Sequence, residues 1–173
     1  MKKIIVIAFM LVSYISFSQK NFSSNAQVKI DANFINGSWK VQSILNEGGF
    51  YYNLEKDSLV LISKTLSKST QLEANEKSKF VSQTKEDFGQ IKYLIYQFNK
   101  DNTCSIIDEN TMKKQNGTFV IDEKNGRLII KIEKANNQVE TIDQAIVSLK
   151  DNKLTLKIEL GETKMSFDYV KIK

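Results

Sequence analysis

The 173-residue chain contains no histidine, no proline, one cysteine and one arginine. Without histidine it lacks the side chain most often used as a general base near neutral pH, and also the commonest metal ligand. A lone cysteine, Cys104, can close no internal disulfide and build no thiolate metal cluster. Apart from Arg127 the basic residues are lysines, and they are spread along the chain among 20 acidic residues. Nucleic-acid readers cluster positive charge and rely on bidentate arginine, so this pattern reads as a solvated surface and not as a nucleic-acid interface. With no proline available, turns fall to Gly, Asn and Asp. The tetrads NEGG (46–49), NKDN (99–102), KQNG (114–117) and EKNG (123–126), with KDN (150–152) and LGE (160–162), punctuate the chain accordingly.

At the N-terminus, Lys2 and Lys3 precede an apolar run from Ile4 to Val12 that extends weakly to Phe17, with small residues at Ser16 and Ser18. Charged start, apolar middle and small-residue end form the order of a secretory signal peptide. The run is shorter than the roughly 20 apolar residues that a membrane-spanning helix needs. The expectation is a signal peptide over 1–18, cleavage after Ser18, and an exported protein, periplasmic or secreted, that begins at Gln19. No cysteine follows the run to accept a lipid anchor. Loss of Lys2 and Lys3 brings the formal charge of +5 to about +3, and about 155 residues remain, the size of one domain. Residues 19–34, rich in Asn and Ser, are expected to be a flexible arm ahead of a domain over 35–173.

From Gly37 the chain alternates, with Trp39, Val41, Ser43 and Leu45 on one face and Lys40 and Gln42 on the other. After a long interval come IKYLIYQF, TCSIID, GTFVID, RLIIKIE, VETIDQAIVSL, KLTLKIEL and KMSFDYVKIK, separated by turn signals. Short strands in such quick succession are the signature of an antiparallel meander. With the Gly37 strand they number about eight, enough for a small barrel to close around side chains or one small ligand. Residues 53–90 are too long for a hairpin loop. Their second half holds Leu66, Leu72, Phe80 and Phe88 among Glu, Lys and Gln, which predicts a partly helical insert, with a short strand at 59–62 ahead of it, acting as a lid or brace.

Gly37-Ser38-Trp39, YQFNKDNTCSI, NGTFVIDEKNGRLIIKI, IVSLKDNKLTLKIEL and the terminal FDYVKIK together resemble the lipocalin-like proteins exported by bacteria. The resemblance spans about 35–173 and implies an all-β fold: an eight-stranded antiparallel up-and-down barrel, with the helical insert between the first and second barrel strands. Asn102 stands where that family's turn usually has glycine, a substitution that a left-handed Asn tolerates. Where the family lays an arginine from the last strand across the tryptophan, this chain offers Lys171, on the same face as Phe167 and Tyr169. The expected closed-end plug is Gly37, Trp39 and Lys171, with the lysine over the indole.

The acidic pairs Asp122 with Glu123 and Glu86 with Asp87 are neighbours in sequence and read as surface charge, not as a hydrolytic carboxylate pair. Asp101, Asn102 and Asp108 lack the ligand alternation of a calcium loop. Ser105 has no identifiable base. Cys104 shares a face with Ile106 and reads as a small buried hydrophobe. The sequons at Asn36 and Asn116 read as turns. No cofactor or metal is implied, nor an enzyme. The aromatic faces are more informative. Tyr96 and Phe98 lie with Leu94, Phe119 with Ile121, and Phe167 and Tyr169 with Met165. Pointed inward, Tyr96, Phe98, Phe119, Phe167 and Tyr169 would line a site for a small apolar or amphipathic ligand, or else fill an ordinary core. The first alternative makes the protein a non-enzymatic binding protein. The second makes it a protein-interaction module of the cell envelope.

Overall fold

A computed structural model describes residues 32–62, 74–134, 138–161 and 163–172. The expected signal peptide over 1–18, residues 19–31 of the arm and residues 63–73 of the insert lie outside the described residues. Among the described residues, ten strands form one antiparallel sheet: β1 (Gly37–Asn46), β2 (Phe50–Asn53), β3 (Ser58–Leu61), β4 (Leu94–Phe98), β5 (Thr103–Asp108), β6 (Lys113–Asp122), β7 (Arg127–Glu133), β8 (Val139–Lys150), β9 (Lys153–Leu160) and β10 (Thr163–Ile172). From β4 to β10 each strand pairs with the next. β10 then pairs with β1, placing Trp39 opposite Lys171 and Val41 opposite Tyr169. β1 pairs in turn with β4 through Gly37–Lys40, so β1 and β4–β10 close into an eight-stranded up-and-down barrel.

Alternation drives the closure. Leu128, Ile130 and Ile132 on β7, Leu154, Leu156 and Ile158 on β9, and Met165, Phe167 and Tyr169 on β10 are all buried, while Lys131 and Glu159 are exposed. Each such apolar side chain contributes roughly 1.5–3 kcal/mol when fully buried. The turns use residues that accept a left-handed backbone: Asn102 at φ 64°, Gly126 at φ 63°, and the pair Asp151 and Asn152 at φ 53° and 61° between β8 and β9. Two consecutive positive-φ residues define the type I′ hairpin, whose twist matches that of the strands. KQNG is not a turn, contrary to the sequence expectation. The chain reverses earlier, through the turn at 109–112, and Gly117 lies buried within β6. A Cβ at Gly117 would stand 2.1 Å from the Lys131 carbonyl oxygen of β7, so glycine is required there by close backbone approach.

The helical insert is not where the sequence placed it. β1 is followed by the short β2–β3 hairpin, and the helix α1 (Ala74–Phe88) comes only after the third strand of the chain. The Tyr-rich and Val/Leu-rich runs FYYN and SLVL prefer a pleated surface, and the NEGG turn brings the first of them back onto β1. On α1, Phe80, Thr84 and Phe88 recur at helical spacing and face β2. Ring centroids of Phe80 and Phe88 lie 6.3 and 5.5 Å from that of Phe50. The buried Tyr52 hydroxyl donates to Asp57 Oδ1 at 2.6 Å, and Lys85 of α1 donates to the Asp57 carbonyl at 2.6 Å, so the helix is braced against the hairpin.

β1 serves two neighbours on one edge: β4 along Gly37–Lys40 and β2 along Ser43–Asn46. The changeover falls at a β-bulge between Val41 and Ser43, where the Gln42 carbonyl accepts the Leu54 N–H at 2.9 Å. A bulge adds one residue and reverses parity beyond it. Ile44 is therefore fully buried and Leu45 partly exposed, the reverse of strict alternation. Ser43 turns outward and donates to Asp168 Oδ2 at 2.7 Å, while Thr155 donates to the other oxygen at 2.9 Å, tying β1, β10 and β9 together on the outer face.

Candidate functional site in the barrel interior

The end of the barrel where β1 begins is filled. A 3-10 helix (Ala32–Ile35) leads into β1, with Ile35 fully buried. Trp39, 1% exposed, donates its indole N–H to the Ile35 carbonyl at 2.6 Å. Lys171 Nζ stands 5.3 Å from the Trp39 ring centroid and donates to the Phe34 carbonyl at 3.2 Å. Gly37 sits at φ +122°, and a Cβ there would lie 2.6 Å from Lys171 Cε, so the lysine stem needs this glycine to reach the ring. Phe98 and Phe119 meet edge to face at 5.0 Å beside them.

Further along the lumen the chemistry changes. Tyr96 on β4 and Tyr169 on β10 meet edge to face, their centroids 5.4 Å apart. The amide of Gln144 on β8 and the two phenols lie close enough to act on one another's ionisation. Gln144 is buried, with its inner-face neighbour Ile146. Three polar side chains from three strands therefore face the barrel interior. β4 and β8 lie four places apart in the ring of eight, so Tyr96 and Gln144 stand on opposite walls. Glu140, two residues before Ile142 and four before Gln144 on the same face of β8, forms an ion pair with Lys134, the two side chains being 12% and 21% exposed.

Burial disfavours ionised phenols in this setting. It pushes Tyr96 up to about 12, against the hydrogen bond from Tyr169, with the Glu140 charge adding to the rise. Tyr169 is raised well above the ordinary tyrosine value, by burial first and then by the Tyr96 neighbour. Both remain protonated hydrogen-bond donors across the neutral range.

Of the aromatic residues expected inside, Phe98, Phe119, Phe167 and Tyr169 are 3–4% exposed and Tyr96 retains some surface. They do not form one cluster. Phe98 and Phe119 belong to the filled end, Tyr96 and Tyr169 to the polar belt, and Phe167 packs on the far side of Tyr169, opposite Ile44 of β1. Gln144 and Glu140 were missed by sequence reasoning, although the period-two series Glu140, Ile142, Gln144, Ile146 carried the signal. Cys104 is buried and its thiol is pushed up by that burial, as for an inert core cysteine. Asp101 and Asp122 bind Thr103 and Asn125 within their turns, which holds both carboxyls low. Among the described residues no group of His, Cys, Asp or Glu is placed to hold a metal.

A closed up-and-down barrel of eight strands, joined first to last, is a lipocalin-like fold. The chain is similar in structure to a lipocalin-like protein from Bacteroides uniformis ATCC 8492, with 10% identity and a TM-score of 0.45 over 80% of this chain and 99% of that one. It is also similar to a DUF4847-family protein from Bacteroides vulgatus ATCC 8482, with 17% identity and a TM-score of 0.44 over 81% of this chain and 96% of that one. No protein-family model and no curated protein matches the chain.

Proposed function

We propose that the protein is an exported, non-enzymatic binding protein that holds a small amphipathic ligand in its barrel. The observation that carries this reading is that Tyr96 and Tyr169, ring centroids 5.4 Å apart, and the buried Gln144 bring polar groups into a barrel interior lined mainly by apolar side chains. A few convergent polar groups among apolar walls are what a small-molecule site uses to orient its guest. The apolar body of the ligand lies against the inner faces of β9 and β10 around Phe167, and its polar end meets Tyr96. The braced helix α1 stands at the end where β1 leaves for β2, the end by which a guest enters. Phenols held above the ordinary tyrosine range donate hydrogen bonds but exchange protons poorly near neutral pH, which fits holding and not turnover.

Native mass spectrometry of the protein released from its producing cells without denaturation tests the reading. A retained lipid or pigment, lost in Tyr96→Phe while the fold survives, is the expected result. A ligand-free wild type that also ignores added hydrophobic dye would overturn it and leave a filled barrel that acts through its outer surface. N-terminal sequencing of the exported form should begin at Gln19.

A further inference from the structure

The end sealed by Trp39 is not flush at its rim, and we infer that a second site lies there, one for a small hydroxylated carboxylate such as a hexuronic acid. A half-open cleft of about 250 Å³ is formed there by the entry to β1, the β4–β5 turn and β6. Asn33 and Asn36 line it from the entry, Lys100 and Asn102 from the turn, and residues 119–121 from the strand. Spaced by three, Asn33 and Asn36 stack on one face of the 3-10 turn, while Ile35 between them is buried in the core. The backbone on both sides is already held. Trp39 and Lys171 donate to the Ile35 and Phe34 carbonyls. In the β4–β5 turn, Asn102 at φ 64° donates its N–H to the Asn99 carbonyl at 3.1 Å, and its own carbonyl accepts the Phe119 N–H at 2.9 Å. A site built on fixed backbone loses little freedom when a guest arrives.

The lining selects chemistry. Each amide can donate to one hydroxyl and accept from another, which suits a polyol. Among the described residues Lys100 is the single charged group of the lining, so a carboxylate finds a partner there and an ammonium does not. Asp101 and Asp122 border the lining residues in sequence, but their carboxylates accept from Thr103 and Asn125 inside their own turns. Phe119, Val120 and Ile121 add apolar surface for the C–H face of a ring. The volume falls below the roughly 300–1,000 Å³ of pockets for drug-sized guests, so the cleft suits one sugar ring and no fatty chain. Its place at the Trp39 end makes it independent of what the lumen holds.

The experiment is a titration of the full ¹⁵N-labelled exported protein, followed by NMR at constant ionic strength, with glucuronate, glucose and cyclohexanecarboxylate as probes. Glucuronate should shift the side-chain amides of Asn36 and Asn102 and the backbone N–H groups of 119–121 saturably, with an affinity about fivefold above either other probe. Lys100→Met should bring glucuronate down to the level of glucose. Asn102→Gly keeps the left-handed turn, removes one amide and should weaken both sugars alike. No saturable shift at these residues, equal affinity for the three probes, or a preference unchanged in Lys100→Met would overturn the inference. Shifts confined to Tyr96 and Tyr169 would place the guest in the lumen and overturn it as well.

Discussion

At the end of the barrel where β1 begins, Ile35, Trp39, Phe98 and Phe119 are buried and Lys171 covers the Trp39 ring. Toward the end where β8 begins, the inner face of that strand carries Gln144 and Glu140, the latter ion-paired with Lys134, and the phenols of Tyr96 and Tyr169 lie between the two regions. The two regions share one sheet and one set of alternating strands. What differs is the kind of group placed at inward parity. The first region gains stability from burial and ring contact. The second sets polar groups in a low-dielectric interior, where each must find a partner or be costly.

The sharpest test of that contrast is Trp39→Ala, which should destabilise by about 3–5 kcal/mol in denaturant unfolding, the usual range for a large core aromatic. A loss below about 1 kcal/mol would show that the filled end does not anchor the fold. Gly117→Ala should follow at about 1–3 kcal/mol or more, because its Cβ cannot coexist with the Lys131 carbonyl without moving β6 from β7. On the polar side, Tyr169→Phe should remove about 1–3 kcal/mol by taking a hydroxyl from beside the buried Gln144 amide. Pairing it with Gln144→Leu should restore part of that loss, and simple additivity in the double-mutant cycle would show that the two side chains do not act together. Lys171→Met keeps the stem and deletes the charge, so it should cost only about 0.5–2 kcal/mol and be coupled to Trp39.

The gentlest test is alkaline. Tyrosines in the unfolded chain ionise near about 10, whereas Tyr96 is pushed up to about 12 and Tyr169 is also raised. Their contribution to stability is fully present below about 10 and falls as pH rises toward the folded values, since only the unfolded chain then releases the protons. Tyrosinate absorbance should show these two rings titrating late and together with unfolding. Normal titration of both in a folded protein would mean that the belt is wet.

Much of the barrel was legible in the sequence because Leu128, Ile130 and Ile132, like Leu154, Leu156 and Ile158, obey period two without interruption. Legibility failed where that period breaks. The bulge at Gln42 exchanged Leu45 for Ile44, and β2 and β3, four residues each, are too short for alternation to rise above noise. The helix carried only a Phe80, Thr84, Phe88 stripe, enough to predict a helix but not its place after a hairpin. The tyrosines of the candidate site could be found by parity. Gln144 and Glu140 could not be found by a rule that sends polar residues outward, and their exception to it is what makes the interior a candidate site.

The closure of β1 on β10 also has a consequence in time. Trp39 and Lys171 stand near opposite ends of the described chain, yet neither the indole cover nor the last seam of hydrogen bonds exists until they meet. Nearest-neighbour hairpins from β4 to β10 can form as they are made, but the seam must wait for the final strand and the long loop it closes. Until then β1 and β10 are open sheet edges, prone to pair with another chain. β10 therefore decides when the protein becomes a barrel, and a chain cut before Thr163 would remain a curled sheet with two edges to offer.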